Sequence, residues 1–130
     1  MPTGGSAAKE NWPGVETVIV KALSLDSFFE QQCIEAIDLI KIDTEMTEPS
    51  ILRGGHNVIA KCKPTIICEV LDVNSAGEIT ALMQPMGYHF FHIKGDGLCE
   101  MAVIEHDPSY EYANYLFVHK DRLGEIKKLA

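Results

Sequence analysis

Runs of apolar residues along the chain alternate with segments in which apolar residues recur every three or four positions. Short apolar runs bounded by turn residues predict strands, and the longer spacing predicts amphipathic helices. The strands are predicted at residues 16–25, 37–42, 65–70, 88–94 and 115–119, with a weaker strand at 101–104. The turn residues Gly95–Gly97 follow the strand predicted at 88–94, and we expect this strand to form a hairpin with the weaker strand at 101–104.

Helical spacing fills three of the intervals between these strands. The residues expected to begin the helices are Asp26, Thr47 and the Ser75–Glu78 pair, whose side chains suit helix N-termini. The second helix is expected to continue as one element to Pro64, where the missing N–H ends it. A last helical turn is predicted at residues 123–130.

Strands that alternate with helices and are apolar throughout are typical of a mainly parallel sheet. The sequence therefore predicts an α/β fold in which helices cover both faces of a mainly parallel sheet. We place this domain at residues 16–130, after a flexible N-terminal arm at residues 1–15 that is rich in Gly, Pro, Ser and Ala.

Composition and charge exclude several classes of protein. The chain is 46% hydrophobic and 23% charged, as in ordinary globular domains. Its net charge of −8 repels nucleic-acid backbones, and Lys61/Lys63 and Lys127/Lys128 are too few to reverse that. No apolar run approaches the roughly 18 residues of a membrane span, and the N-terminus lacks a signal-peptide pattern, so we expect a cytoplasmic protein.

Acidic and amide side chains follow two neighbouring predicted strands. They are Asp43 and Glu45 after the strand at 37–42, and Glu69, Asp72 and Asn74 at the end of the strand at 65–70. Ligands of parallel sheets bind outside the carboxyl ends of the strands, so we expect these groups on one rim. Because carboxylates accept protons and hydrogen bonds from hydroxyl groups, the pattern favours a hydroxyl-bearing ligand.

A structural interpretation of the same acids stays open. Acids that follow a strand also favour the positive N-terminus of the next helix, and for Glu48 we expect that role. Glu69 interrupts an apolar strand and needs a partner if it is buried. An acidic cluster suits a hard cation such as Mg²⁺ as well, but nothing in the sequence requires one, and we predict no metal.

Five short motifs stand in a fixed order within residues 16–119. They are LSLDSFF at 23–29, DLIKIDTE at 38–45 with Glu48 after it, ILRGG at 51–55, PTIICEV at 64–70 and NYLFV at 114–118. This ordered run resembles the FkbM-type methyltransferases. The resemblance implies a class I, Rossmann-like fold with strand order 3-2-1-4-5-7-6, S-adenosylmethionine as cofactor, and methyl transfer to a sugar or polyketide hydroxyl.

The roles implied by the resemblance fall on the rim residues. Asp43 is the first candidate for the general base and Glu45 the second catalytic residue, and Glu69, Asp72 and Asn74 are substrate-binding candidates. Two features depart from the family pattern. The family's Glu-Gly-x-Glu turn is here Glu45-Met46-Thr47-Glu48, so a positive φ at Met46 is costly. The glycine-rich cofactor loop and the acid that holds the ribose have no counterpart in the sequence.

The sequence thus predicts the C-terminal portion of a methyltransferase, which binds S-adenosylmethionine no more tightly than about 1 mM on its own. The alternative is an inactive remnant that acts as a binding or assembly module. Without a neighbouring first strand, the strand at 37–42 becomes a sheet edge, and such edges pair readily with other chains. We expect a second copy, or a separately encoded N-terminal half, as the partner.

Overall fold

The computed structural model describes residues 13–128. The predicted arm at 1–15 lies outside the described residues except for its last three positions. The strands are β1 (Leu39–Ile42), β2 (Thr65–Glu69), β3 (Tyr88–Lys94), β4 (Gly97–Met101) and β5 (Asn114–His119). The helices are α1 (Leu25–Gln31), α2 (Glu48–Gly54), α3 (His56–Cys62), α4 (Val73–Met83) and α5 (Leu123–Lys127), with 3₁₀ turns at Gln84–Met86 and Lys120–Arg122.

The described strands form one mixed sheet in the order β1-β2-β5-β3-β4. Only β1 and β2 pair in parallel, and the other three neighbouring pairs are antiparallel. The prediction of a mainly parallel, Rossmann-like sheet is therefore wrong. Strand β5 inserts between β2 and β3 and runs opposite to both, and β4 returns beside β3 as a hairpin. An apolar run does not record strand direction, because a buried strand is apolar whichever way it runs.

Helices α2, α3 and α4 pack on the same face of the sheet. One core cluster joins them to the strands, with Leu52, Ile59, Ile79 and Met83 from the helices and Ile66, Cys68, Phe90, Tyr115 and Phe117 from the strands. The chain moves across the sheet in one direction from β1 to β2 to β3. Right-handed crossovers therefore leave the intervening helices on one side.

The predicted pairing of the strands at 37–42 and 65–70 is confirmed. Strands β1 and β2 are parallel neighbours, in a register that sets Leu39 beside Thr65 and Ile42 beside Cys68. Strand β1 lies at the edge of the described sheet, and Leu39 is 59% exposed there.

The predicted strand at 16–25 is wrong. Residues 15–24 form neither helix nor strand, and Ile19 is 96% exposed. A β-branched run becomes a strand only where a partner strand and a packing surface are available, and the described sheet gives this segment neither.

The single helix predicted from Thr47 to Pro64 is two helices, which meet at Gly54 and Gly55. These glycines let the start of α1 approach closely. A Cβ atom on Gly55 would lie 2.8 Å from Leu25 Cδ2, and one on Gly54 would lie 3.2 Å from Ser24 Cβ. The Gly-Gly pair of the ILRGG motif therefore serves helix packing.

The sequence predicts that Asp26 caps its own helix, α1, but in the structure it caps α3. Its carboxylate accepts the N–H groups of Val58 at 2.9 Å and Asn57 at 3.2 Å. The N-cap of α1 is Ser24, whose hydroxyl accepts the N–H of Ser27. Asp26 caps α3 because the contact at Gly54 and Gly55 brings the start of α3 beside its carboxylate.

Helix α4 begins earlier than predicted, at Val73. Its N-cap is Asp72, whose carboxylate accepts the N–H of Ser75 at 2.6 Å. The Ser75–Glu78 capping box is therefore wrong, and Glu78 instead pairs with Arg53 of α2. Within residues 13–128, no helix has the length and apolarity needed to cross a membrane.

We expect Asp26→Ala to lower the free energy of unfolding by about 1–2 kcal/mol, because two N–H groups at the start of α3 lose their acceptor. Urea denaturation at equilibrium measures the change. Glu30→Ala, at an exposed acid that lies in α1 like Asp26, is the control and should change stability by less than about 0.5 kcal/mol. Equal effects of the two substitutions would show that the cap of α3 contributes nothing.

Candidate functional site

Three carboxylates meet where β1 and β2 end. Asp43, Glu45 and Glu69 each offer an oxygen atom, and these atoms lie within 4.8 Å of one another. The register of the parallel pair explains this meeting, because Lys41 lies beside Ile67 and the next residues on that side are Asp43 and Glu69. The prediction that Asp43 and Glu69 lie on one rim is confirmed.

The carboxylates lie on the side of the sheet opposite α2, α3 and α4. Ile42 and Cys68, the residues that precede Asp43 and Glu69, are both buried in the core with those helices. Because side chains alternate along a strand, the following residues point away from the core. Asp43 and Glu45 are exposed and Glu69 is half-buried.

Glu69 is the least solvated acid of the three. Its Oε1 atom is buried and has no hydrogen-bond partner among the described residues. Burial raises the pKa of the Glu69 carboxyl above its ordinary value, and the negative charge of Asp43 raises it further. Glu69 therefore keeps a proton to higher pH than a solvated glutamate does.

Lys41 and Asn114 border the carboxylates, and sequence reasoning assigned neither of them to the site. Lys41 Nζ lies 3.5 Å from Asp43 Oδ2 and 3.5 Å from Asn114 Oδ1. Asn114 lies beside Glu69 in the antiparallel pairing of β5 with β2. The Lys41–Asp43 pair is half-exposed on both sides, so water screens it and it contributes about 0–1 kcal/mol. One lysine leaves the rim negatively charged.

The turn after β1 has an unusual backbone. Glu45 has a φ of 56° and Met46 a φ of 81°, so two successive non-glycine residues occupy the left-handed region. Each costs about 1–2 kcal/mol relative to a right-handed conformation. The costly positive φ predicted at Met46 is thus present.

Glu48 and Thr47 close this turn with hydrogen bonds. Glu48 Oε1 accepts the N–H of Thr44 at 2.9 Å, and Thr47 Oγ1 donates to Thr44 Oγ1 at 2.7 Å. Glu48 lies in the first turn of α2, as predicted, and is buried.

Asp72 and Asn74 do not join the carboxylate cluster. Asp72 caps α4, and Asn74 is exposed in the first turn of the same helix. Their roles in substrate binding stay predictions. Asp26 serves α3, as described above.

Two clefts of the surface lie away from the carboxylates. One of about 540 Å³ runs beside α4, and the other, of about 400 Å³, lies between α1 and α3. Neither is lined by Asp43, Glu45 or Glu69. Because Asp43 and Glu45 are exposed, the carboxylates lie on an open rim, where reacting groups stay in contact with water unless a second surface covers them.

An open rim of three carboxylates suits two kinds of ligand. Carboxylate oxygens accept hydrogen bonds from hydroxyl groups and take protons from them. The same oxygens suit hard cations, which prefer oxygen ligands, and the prediction of no metal stays a prediction.

Comparison with known proteins identifies the family. Neither a curated protein nor a solved structure matches the chain. The family model described as the methyltransferase FkbM domain matches residues 2–90, which is more than half of the 130 residues and includes Asp43, Glu45 and Glu69. The chain belongs to the FkbM methyltransferase domain family.

Proposed function

We propose that this methyltransferase domain acts on a hydroxyl group of a sugar or polyketide, and that the chain supplies the acceptor side of the reaction. The gathering of Asp43, Glu45 and Glu69 within 4.8 Å carries the proposal. Three carboxylates form a set of acceptors for neighbouring hydroxyl groups of a polyol. They also repel phosphate and carboxylate groups, which disfavours a phosphorylated acceptor.

In this proposal Asp43 is the general base. It is exposed at the rim, so an acceptor hydroxyl can reach it, and removal of the hydroxyl proton strengthens the attacking oxygen. Glu45 and Glu69 hold the acceptor by hydrogen bonds. Burial and the negative charge of Asp43 raise the pKa of the Glu69 carboxyl, so Glu69 keeps a proton to higher pH than a solvated glutamate does.

The described residues do not fit the whole of S-adenosylmethionine, the methyl donor expected for this family. Its sulfonium group suits a carboxylate rim, but its own carboxylate does not. Within residues 13–128, the turns after β1 and β2 are Thr44–Thr47 and the short link to α4, and neither is the glycine-rich loop that binds the cofactor in such folds. We therefore propose that the chain is an incomplete, C-terminal portion of the domain.

A second candidate is an inactive remnant that serves as a binding or assembly module. The open rim and the exposed edge of β1 favour it. Calorimetry separates the two candidates only where binding is detected, since the remnant needs no affinity for the cofactor. For the isolated chain we expect no binding of S-adenosylmethionine tighter than about 1 mM, or about −4 kcal/mol. Micromolar affinity would place the cofactor site within this chain.

We expect Asp43→Asn to reduce methyl transfer about 10²–10⁴-fold, because an amide cannot take the hydroxyl proton. The assay follows a radiolabelled methyl group from millimolar S-adenosylmethionine to sugar and macrolide acceptors. Asp96→Asn makes the same chemical change in the exposed β3–β4 turn and should leave the rate unchanged. No transfer by the unmodified chain would favour the remnant. Transfer that survives Asp43→Asn would remove the base assignment.

We expect Glu69→Gln to stabilise the fold increasingly as pH rises. The pKa of Glu69 in the folded chain lies above its ordinary value of 4.5, so the folded state binds more protons than the unfolded state in the interval between the two values. Stability from this group is present below pH 4.5 and is lost as pH rises through the folded-state value. A glutamine at position 69 does not ionise, so the variant does not lose this stability as pH rises.

Urea denaturation between about pH 4 and about pH 8 tests this pH dependence. Glu111→Gln, at an exposed acid, is the control and should give a difference from the unmodified chain that does not vary with pH. A Glu69→Gln difference that is equally flat would mean that the Glu69 carboxyl titrates normally.

We also propose that the edge of β1 pairs with another chain, either a second copy or a separately encoded N-terminal half. The edge is unpaired in the described sheet and carries an exposed leucine at position 39. Unpaired N–H and C=O groups on an apolar edge attract a further strand. Such a partner would also cover the neighbouring rim.

Leu39→Lys should weaken self-association by adding charge to that edge. We expect sedimentation velocity at micromolar concentration to show a dimer or larger species that this substitution converts to monomer. Val103→Lys, at a valine that is 46% exposed outside the strands, should leave the assembly intact. A monomer in all three samples would exclude the second copy and leave the separate N-terminal half as the proposed partner.

A further inference from the structure

Glu48 is the only buried residue of the described chain that carries a carboxylate. The buried polar residues are Glu48, Ser75, His92 and His119, and Glu48 is only 2% exposed. A buried carboxylate is unfavourable unless hydrogen bonds replace its lost water. The N–H of Thr44 supplies one such bond at 2.9 Å, and this bond reaches back across the turn that follows β1.

The turn that Glu48 reaches is the one in which Glu45 and Met46 have positive φ. Conformations of this kind persist only where the surrounding structure holds them. Here the hydrogen bonds that close the turn all involve Thr44. Its N–H donates to Glu48, and its carbonyl and hydroxyl oxygens accept the hydroxyl of Thr47. The strain and its restraint thus lie within one short segment.

The left-handed turn decides where Glu45 lies. In an extended strand, two residues span roughly 6.6 Å, so Glu45 would be carried past Asp43 and beyond the end of β2. The observed turn instead keeps the Glu45 carboxylate within 4.8 Å of Asp43 and Glu69. A residue that holds the turn therefore holds the third carboxylate of the site.

We propose that Glu48 is a positioning residue, whose buried carboxylate holds the Thr44–Met46 backbone in its left-handed turn and thereby places Glu45 in the carboxylate site. This inference rests on the proposed function for its purpose, but the geometry itself can be tested without any activity. Glu48 touches no acceptor; it acts through the backbone of Thr44.

Three substitutions separate the hydrogen bond from the charge. Glu48→Gln removes the charge and keeps an oxygen that can accept the N–H of Thr44. Glu48→Ala removes both, and Glu48→Asp keeps the charge but withdraws the acceptor by one methylene. The readouts are amide hydrogen exchange at Thr44 and NMR titration of the ¹³C-labelled carboxyl group of Glu69, whose pKa is raised by burial and by the negative charges of Asp43 and Glu45.

We expect Glu48→Ala and Glu48→Asp to speed exchange at Thr44 about tenfold or more, and to lower the pKa of the Glu69 carboxyl, because the negative charge of Glu45 moves away from it. Glu48→Gln should leave both readouts close to those of the unmodified chain, apart from the effect of one lost charge. The amide of Ile79 in the core of α4 should exchange as before in all variants. Should Glu48→Ala not fold, Glu48→Asp still provides the test.

A rescue experiment distinguishes positioning from general support of the fold. Glycine adopts positive φ without strain, so Met46→Gly combined with Glu48→Asp should restore the raised pKa of the Glu69 carboxyl. Met46→Ala removes the same side chain but keeps Cβ, so it should not restore the pKa of Glu69.

The inference is overturned if Glu48→Asp and Glu48→Gln give the same exchange at Thr44, or if Met46→Ala restores the site as well as Met46→Gly does. A positive result together with inactivity of the unmodified chain would refute the proposed function alone, because positioning would have been shown without catalysis.

Discussion

The parallel register of β1 and β2 is the constraint on which the site depends. Ile40 and Ile42 lie beside Ile66 and Cys68 and face the helices, so the alternate positions must face the other way. A slip of one residue would send the core residues to solvent and the acids into the core, which makes the register strongly specified. The apolar core thus fixes the positions of two carboxylates that it never touches.

The motifs of the family divide between packing and chemistry. The Leu-Asp pair and the Gly-Gly pair are two sides of one contact, in which Asp26 caps α3 and Leu25 covers Gly55. These residues set α2 and α3 over the sheet and so hold the turn that begins α2. The acids after β1 are the part of the pattern that packing does not explain, since two of them are exposed.

Much of what depends on neighbouring residues could be predicted from the sequence, whereas what depends on direction or distance could not. Strands β1, β2 and β3 and the shared rim follow from apolar runs and strand ends. No local signal places β5 between β2 and β3, and only the strand order implied by the family resemblance puts the last strand between its two predecessors; Asn114 reaches Glu69 only through that insertion. The cap made by Asp26 joins residues 31 and 32 positions apart, beyond any local pattern.

Several features around the turn after β1 lower the stability of the fold. Acids lie close together, one oxygen of Glu69 is buried without a partner, and Glu45 and Met46 have positive φ. A chain under no constraint but stability would relieve each of them with a single substitution, such as glycine at Met46 or glutamine at Glu69. Local conflicts of this kind are expected where a site is maintained for another purpose. Their concentration in one corner, above a core that is otherwise consistent, is the physical argument for the function proposed for this rim.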